Sequence, residues 1–206
     1  MCELGRMDIL VETSILSQYL ARPRICHLVQ AISIFEYLSK YDNYWMVMDP
    51  SDYNIDWMPI KDEPSPEETA RIMQQMHPDA IEEEPHNKPS IPLGKSVNIN
   101  AFVDADHAGN KVTRRSHTDI IIYCNRSPIL WFSKRQNTVE ISTYSSEIVA
   151  LKITIEMVVV EGLRYKLKMF GVGLKGPARV FCDNMVVVLN SSFSESTLKK
   201  KNCRVA

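Results

Sequence analysis

Residues 98–106 are an apolar-rich stretch of strand character, with Ile99, Ala101, Phe102 and Val103, that runs directly into two carboxylates, Asp104 and Asp106. Two later stretches repeat the arrangement: Ser145, Ser146 and Glu147 open a long apolar-periodic run, and Val180, Phe181 and Cys182 lead into Asp183. Three separated elements thus each deliver a carboxylate at an end. Brought to one point, such groups suit a hard divalent cation, which prefers oxygen and needs few protein ligands beside substrate phosphates.

The 206 residues, 45% hydrophobic and 24% charged, are enough for one sizeable domain, or one domain plus a remnant. No apolar run approaches the ~20 residues of a membrane span, so no membrane partner is expected. Glu3 sits where a secretory signal would be basic and then apolar, which predicts an intracellular protein, cytoplasmic or nuclear. Cys2, Cys26, Cys124, Cys182 and Cys203 are odd in number and form no close pair, as free thiols in a reducing compartment would. The net charge of -1 conceals an asymmetry: residues 1–95 hold 8 Lys and Arg against 16 Asp and Glu, whereas 96–206 hold 16 against 9. The second part alone is basic enough to hold a polyanion.

Along the chain, residues 8–45 show helical spacing, with Leu28, Ile32, Phe35 and Leu38 on one face and Pro23 dividing two helices. That face needs a partner surface, and His27 within it reads as a packed or surface histidine. Residues 47–95 hold 8 of the 11 prolines and an acidic run including Asp62, Glu63, Glu67, Glu68, Glu82, Glu83 and Glu84. We read a solvated linker, with a short helix possible over 66–76. Strands follow over 97–103, 119–124 and 129–133, the last two forming a hairpin through the turn at 125–128. A helix is expected over 145–170 with Ile148, Leu151, Ile155, Val158 and Val159 inward, weakened by the β-branched run near Val158 and ended by Gly171 and Gly173. A strand over 179–182 and a helix over 185–190 complete an α/β mixed sheet with flanking helices.

If the strands bearing Asp104 and Asp183 pair in parallel, the two acids sit side by side, ~4.8 Å between strands, with Glu147 aimed at the same spot from a helix start. The natural occupant is a pair of magnesium ions about 4 Å apart, one activating water and one stabilising a leaving oxygen. Acids that merely cap turns are the alternative, and Asp106 fits that role best.

The segment Asp104, Ala105, Asp106, Ala108, Gly109, Thr113, Arg114, Arg115 and Ser116 resembles the opening of the ribonuclease H domain of copia-type LTR-retrotransposon Pol polyproteins. Trp131, Ser133, Lys134, Arg135, Gln136, Thr138, Val139, Ser142, Thr143 and Glu147 resemble the same domain's hairpin and following helix, and Cys182, Asp183 and Asn184 its next acid-bearing strand. Further forward, Gly5, Arg6, Asp8, Ile9, Leu16, Ser17, Tyr19, Pro23, His27, Tyr37 and Leu38 resemble the end of the reverse transcriptase domain that precedes it. The paired aspartates of a polymerase site are absent from the sequence.

The resemblance implies three parts: a reverse transcriptase C-terminal helical remnant over 1–46, an acidic Pro-rich linker over 47–95, and a truncated ribonuclease H-like domain over 96–206. It implies hydrolysis of the RNA strand of an RNA/DNA hybrid, with Asp104, Glu147 and Asp183 holding two Mg2+ ions, or Mn2+. Lys111, Arg114, Arg115, Lys134 and Arg135 would contact phosphates, and the remainder of a reverse transcriptase would be a partner. For those basic residues a solvated face is the alternative, and Trp131 reads as core. Ser145 departs from the usual paired glutamates, and His117, Thr118 and Asp119 stand where the family has Thr-Ser-Gly. The family's fourth metal carboxylate lies beyond Ala206, and Glu195 falls too early to replace it, which predicts impaired activity, or a catalytically inactive remnant that only binds duplex nucleic acid. The tail with Lys199, Lys200, Lys201 and Arg204 is expected to be unstructured.

Overall fold

In the first strand, β1 (Ile99–Asp106), the odd positions Ile99, Ala101, Val103 and Ala105 are buried while Asp104 and Asp106 on the other face are exposed. That period-2 alternation makes one face core and leaves the other for chemistry. The computed structural model describes residues 5–52, 91–160 and 162–192, with positions 65, 67, 71 and 84–86. β1 is joined by β2 (His117–Cys124), β3 (Ser127–Arg135) and β4 (Arg179–Cys182) in the spatial order β3-β2-β1-β4. β2 runs antiparallel to both β1 and β3, and β4 runs parallel to β1. The result is a mixed four-stranded sheet with flanking helices.

The expected hairpin is present, with longer strands and a tighter turn than the apolar pattern implied. Cys124 pairs with Ser127, and Asn125 takes a left-handed φ of 53°. Its Oδ1 accepts from the Asn98 main-chain N–H at 2.9 Å, and its own N–H donates to Asn98 O at 2.8 Å. Asparagine tolerates this conformation because its short polar side chain can bond locally. The strands outrun their apolar runs because ladder hydrogen bonds continue through polar pairs such as Asp104 with Asp119.

On the buried face lies α3 (Thr143–Ile155), which follows the leading helices α1 (Leu10–Ser17) and α2 (Ile25–Lys40) in the chain. Ser142 caps α3, its Oγ accepting from Ser145 N at 3.2 Å. Its contact line is made of small side chains, Ser146, Ala150 and Thr154, all fully buried. They allow the helix to approach Ala101, Val103, Ala105, Ile120 and Ile122 closely. This corrects the expected inward set: Val158 is buried and Leu151 packs at the margin, but Ile148 is half-buried and Ile155 is exposed. The side chain of Val159 lies outside the described residues. Helical spacing alone could not rank two adjacent stripes, and the sheet selected the one with smaller side chains.

The single helix expected over 145–170 is also corrected. α3 ends at Ile155, a π-helical turn spans Glu156–Val160, and α4 (Leu163–Met169) follows Gly162, whose φ is 72°. The β-branched run at Val158, crowded against the preceding turn, coincides with this change of winding. Gly162→Ala is expected to destabilise the protein by about 1–2 kcal/mol because a Cβ is strained at that φ; a chemical-denaturation midpoint measures it. After β4, α5 (Met185–Ser192) returns with Val187 fully buried.

The leading segment forms a 3-10 turn (Met7–Ile9), α1 (Leu10–Ser17) and α2 (Ile25–Lys40). α1 docks on β3, where Ser14 Oγ donates to Ser133 O at 2.9 Å. Leu28, Ile32 and Phe35 of α2 remain exposed. His27 stacks on Tyr19 and accepts from the Arg24 N–H through Nδ1, a packing and capping role. Parts of the acidic stretch lie against the sheet domain: Asp49 O accepts from Ser127 Oγ, Pro50 O from Asn125 Nδ2, and Asp49 pairs with Arg126. Of the helix suggested over 66–76 only Glu67 and Arg71 are described, both helical, while most of the acidic run and the tail with Glu195 and its lysines lie outside the described residues.

Candidate metal centre

Val103 pairs with Cys182, the last pair between the parallel strands β1 and β4, so Asp104 and Asp183 are the residues that follow it on each chain segment. Asp104 lies within β1, two residues before its end, and its Oδ1 accepts from the Ala105 N–H at 2.7 Å. Glu147 comes from the N-terminal part of α3 and is only 6% exposed. Ligand atoms of Glu147, Cys182 and Asp183 all lie within 4.8 Å of one another, and Asp104, expected in the same set, is not a member of that group.

Electrostatics ties Asp104 to this group. Burial, then the charges of Asp104 and Asp183, push the Glu147 carboxyl up to about 7, opposed by the Ala105 main-chain N–H and Cys182. Cys182 Sγ donates to Glu147 Oε2 at 3.8 Å, and burial together with the neighbouring acids pushes its thiol up. A protonated thiol is a poor ligand, so the oxygen donors define the centre's preference for a hard cation.

The folded protein holds the Glu147 proton more tightly than the unfolded chain, whose carboxyl keeps its ordinary value. Stability from this group is therefore present at low pH and falls as pH rises from 4.5 to about 7. Without added metal, Glu147→Gln is expected to gain roughly 2 kcal/mol relative to the parent across that interval, allowing for the solvent-facing side of the cluster. Parallel denaturant titrations at the two ends of the interval read that difference directly.

A further acid, Asp119, escaped the sequence reading. It stands opposite Asp104 on β2 and opposite Ser133 on β3. Burial pushes its carboxyl up, and Asp104 and Asp106 add to the rise, against Ser133 and His117, which favour the charge. Its buried Oδ1 has no hydrogen-bond partner among the described residues. The available signal was a lone acid heading an isoleucine run, meaningful only once the register is known. Asp106 is the last residue of β1 and its carboxylate folds over Gly109, where a Cβ would meet Oδ2 at 1.8 Å. It serves the turn there.

The basic residues gather at the same end of the sheet. Lys111, Arg114 and Arg115 lie on the β1–β2 loop, and Lys134 and Arg135 end β3, where Arg135 pairs with His117 and His117 with Asp106. Lys111, Arg114 and Lys134 are exposed; Arg115 and Arg135 are half-buried. Trp131 is half-buried in β3.

These features define an α/β protein whose mixed sheet carries a carboxylate cluster at one end and a basic rim beside it. Over 93 residues, 45% of the chain, it is 33% identical to a Retrovirus-related Pol polyprotein from transposon RE1 of Arabidopsis thaliana, a match covering 6% of that polyprotein. Over 64 residues, 31% of the chain, it is 41% identical to an uncharacterized mitochondrial protein of the same plant, covering 27% of it. The chain therefore spans a minor part of each relative's length. No protein-family model and no solved structure matches it. The similarity supports a retrotransposon Pol-related, transposon-derived protein.

Proposed function

We propose that the chain is the ribonuclease H-like segment of a copia-type retrotransposon Pol polyprotein and hydrolyses the RNA strand of RNA/DNA hybrids, leaving a 3′-hydroxyl and a 5′-phosphate. One observation carries the reading. The buried Glu147 carboxylate lies within 4.8 Å of the ligand atoms of Cys182 and Asp183, and burial, then the charges of Asp104 and Asp183, raise its carboxyl to about 7, a repulsion that a divalent cation would neutralise.

The donor set fits Mg2+ or Mn2+: three carboxylates supplied by β1, α3 and the end of β4, with no histidine among them. Asp104 and Asp183 would hold both ions, and Glu147 would hold one from the helix side. Bound ions supply activated water and charge stabilisation at the scissile phosphate. The protein's own contribution is to fix the carboxylates on rigid elements and to place phosphates with Lys111, Arg114, Arg115, Lys134 and Arg135 without reading bases. The remainder of a reverse transcriptase would be its partner, and an intracellular compartment its setting.

The test is cleavage of a labelled hybrid by the full chain with Mg2+ and with Mn2+. Metal-dependent release of RNA fragments from the hybrid, with DNA duplex left intact, is the expected result. Hybrid binding that weakens steeply with salt, with no cleavage at any metal concentration, would overturn the nuclease and leave a remnant that only binds duplexes.

A further inference from the structure

One amide from the leading segment joins three parts of the basic rim. Gln18 is the C-cap residue of α1, placed by its N–H bond to Ile15 O and by the docking of Ser14 on Ser133 O. Its Oε1 accepts from Asn110 Nδ2 at 2.7 Å and from Arg135 Nη1 at 3.3 Å, and its Nε2 lies 2.8 Å from His117 Nε2. With the amide oxygen taken by two donors, Nε2 donates to His117, which then carries its proton on Nδ1.

Asn110 is the organiser of the basic loop. Only 8% exposed, it accepts through Oδ1 from Val112 N at 3.1 Å and Thr113 N at 2.8 Å. Its main chain closes the loop, with Arg114 N donating to Asn110 O at 2.7 Å and Asn110 N to Arg115 O at 3.2 Å. Arg114 has a φ of 58°, disfavoured for a long side chain by about 1–2 kcal/mol, so local hydrogen bonds must hold it there.

We propose that Gln18 is a positioning residue that locks the 110–115 loop and Arg135 into one rigid array for the phosphate backbone of a nucleic-acid duplex, so that the leading helix is a working part of the binding rim. The phosphate role rests on the ribonuclease H-like reading; the locking of the loop rests on the hydrogen bonds alone. A preorganised array loses less conformational entropy when phosphates bind than a loop ordered by the ligand. Gln18 itself touches no phosphate, so its loss changes affinity without changing the number of ions released.

The experiment uses the full chain with Gln18→Ala and, separately, Asn110→Asp, which keeps the two Oδ1 bonds and removes the donor to Gln18. The expected result is amide exchange at Val112 and Thr113 accelerated about tenfold in both variants and, for Gln18→Ala, which adds no charge to the rim, hybrid affinity lowered about fivefold to tenfold with an unchanged salt slope. Lys134→Gln, by contrast, is expected to reduce the slope by about one. The double variant should be little worse than either single one, as for residues in one network. Thermal melts identify a variant whose loss is global unfolding, and the other variant then decides. Exchange and affinity within twofold of the parent would overturn the inference. If the parent binds no hybrid, the nuclease reading and the phosphate role fall together, while the exchange measurement still decides whether Gln18 locks the loop.

Discussion

Asp104→Asn is expected to lower metal-dependent hybrid cleavage at least ~100-fold while leaving the fold intact. Changes to groups that merely orient metal ligands already cost 10–100-fold, and Asp104 is proposed as a ligand itself. The substitution preserves shape: the side-chain oxygen can still accept from the Ala105 N–H, and the position is exposed, so no buried charge is stranded. It also removes one of the two charges that raise the Glu147 carboxyl, which should fall closer to its ordinary range. Initial cleavage rates over a range of Mn2+ concentrations, paired with a melt of each protein, separate metal loss from unfolding. Cleavage retained at parental rates would dismiss Asp104 from the centre.

Ile122→Ala should produce the largest loss of stability, about 3–4 kcal/mol. Ile122 is 0% exposed and is paired with Ala101 on β1 and Leu130 on β3, beneath α3. A neighbouring alanine cannot expand to fill the space, so the deletion adds a cavity to the lost burial. Against a typical total of about 5–15 kcal/mol this is a large fraction. Ile155→Ala is the control: helical spacing places Ile155 inward, but it is 46% exposed, and its loss is expected to stay near 0.5 kcal/mol. Urea midpoints at constant slope measure both, and equal losses would mean that α3 presents the other stripe to the sheet.

The three carboxylates of the candidate centre were legible because each is announced locally, by an apolar strand run or a helix start. The hairpin at Asn125 and the strand ending at Cys182 are equally local, set by turn chemistry and by β-branched or aromatic residues. Asp119 was not legible, since its meaning depends on the register that sets it opposite Asp104. Nor was the break between α3 and α4, where the apolar run continues while the backbone changes winding. The docking of α1 was hidden for a third reason. Its apolar period announces a buried face but cannot say which surface, and the polar anchors Ser14 and Gln18 carry no periodic signal.

By itself the amino-acid order determined the four strands and most of the helical segments, where acids and bases concentrate, and that Asp104, Glu147 and Asp183 are candidate ligands. Only the tertiary structure decided that Glu147 lies buried within reach of Asp183 and feels the charge of Asp104, that Asp119 joins their neighbourhood, and that Gln18 reaches across to the basic rim. The physical reason is range. Periodicity, capping and turn preference act over a few residues and are written in the chain. Burial, charge coupling and long-range hydrogen bonds exist only between surfaces that folding has already brought together.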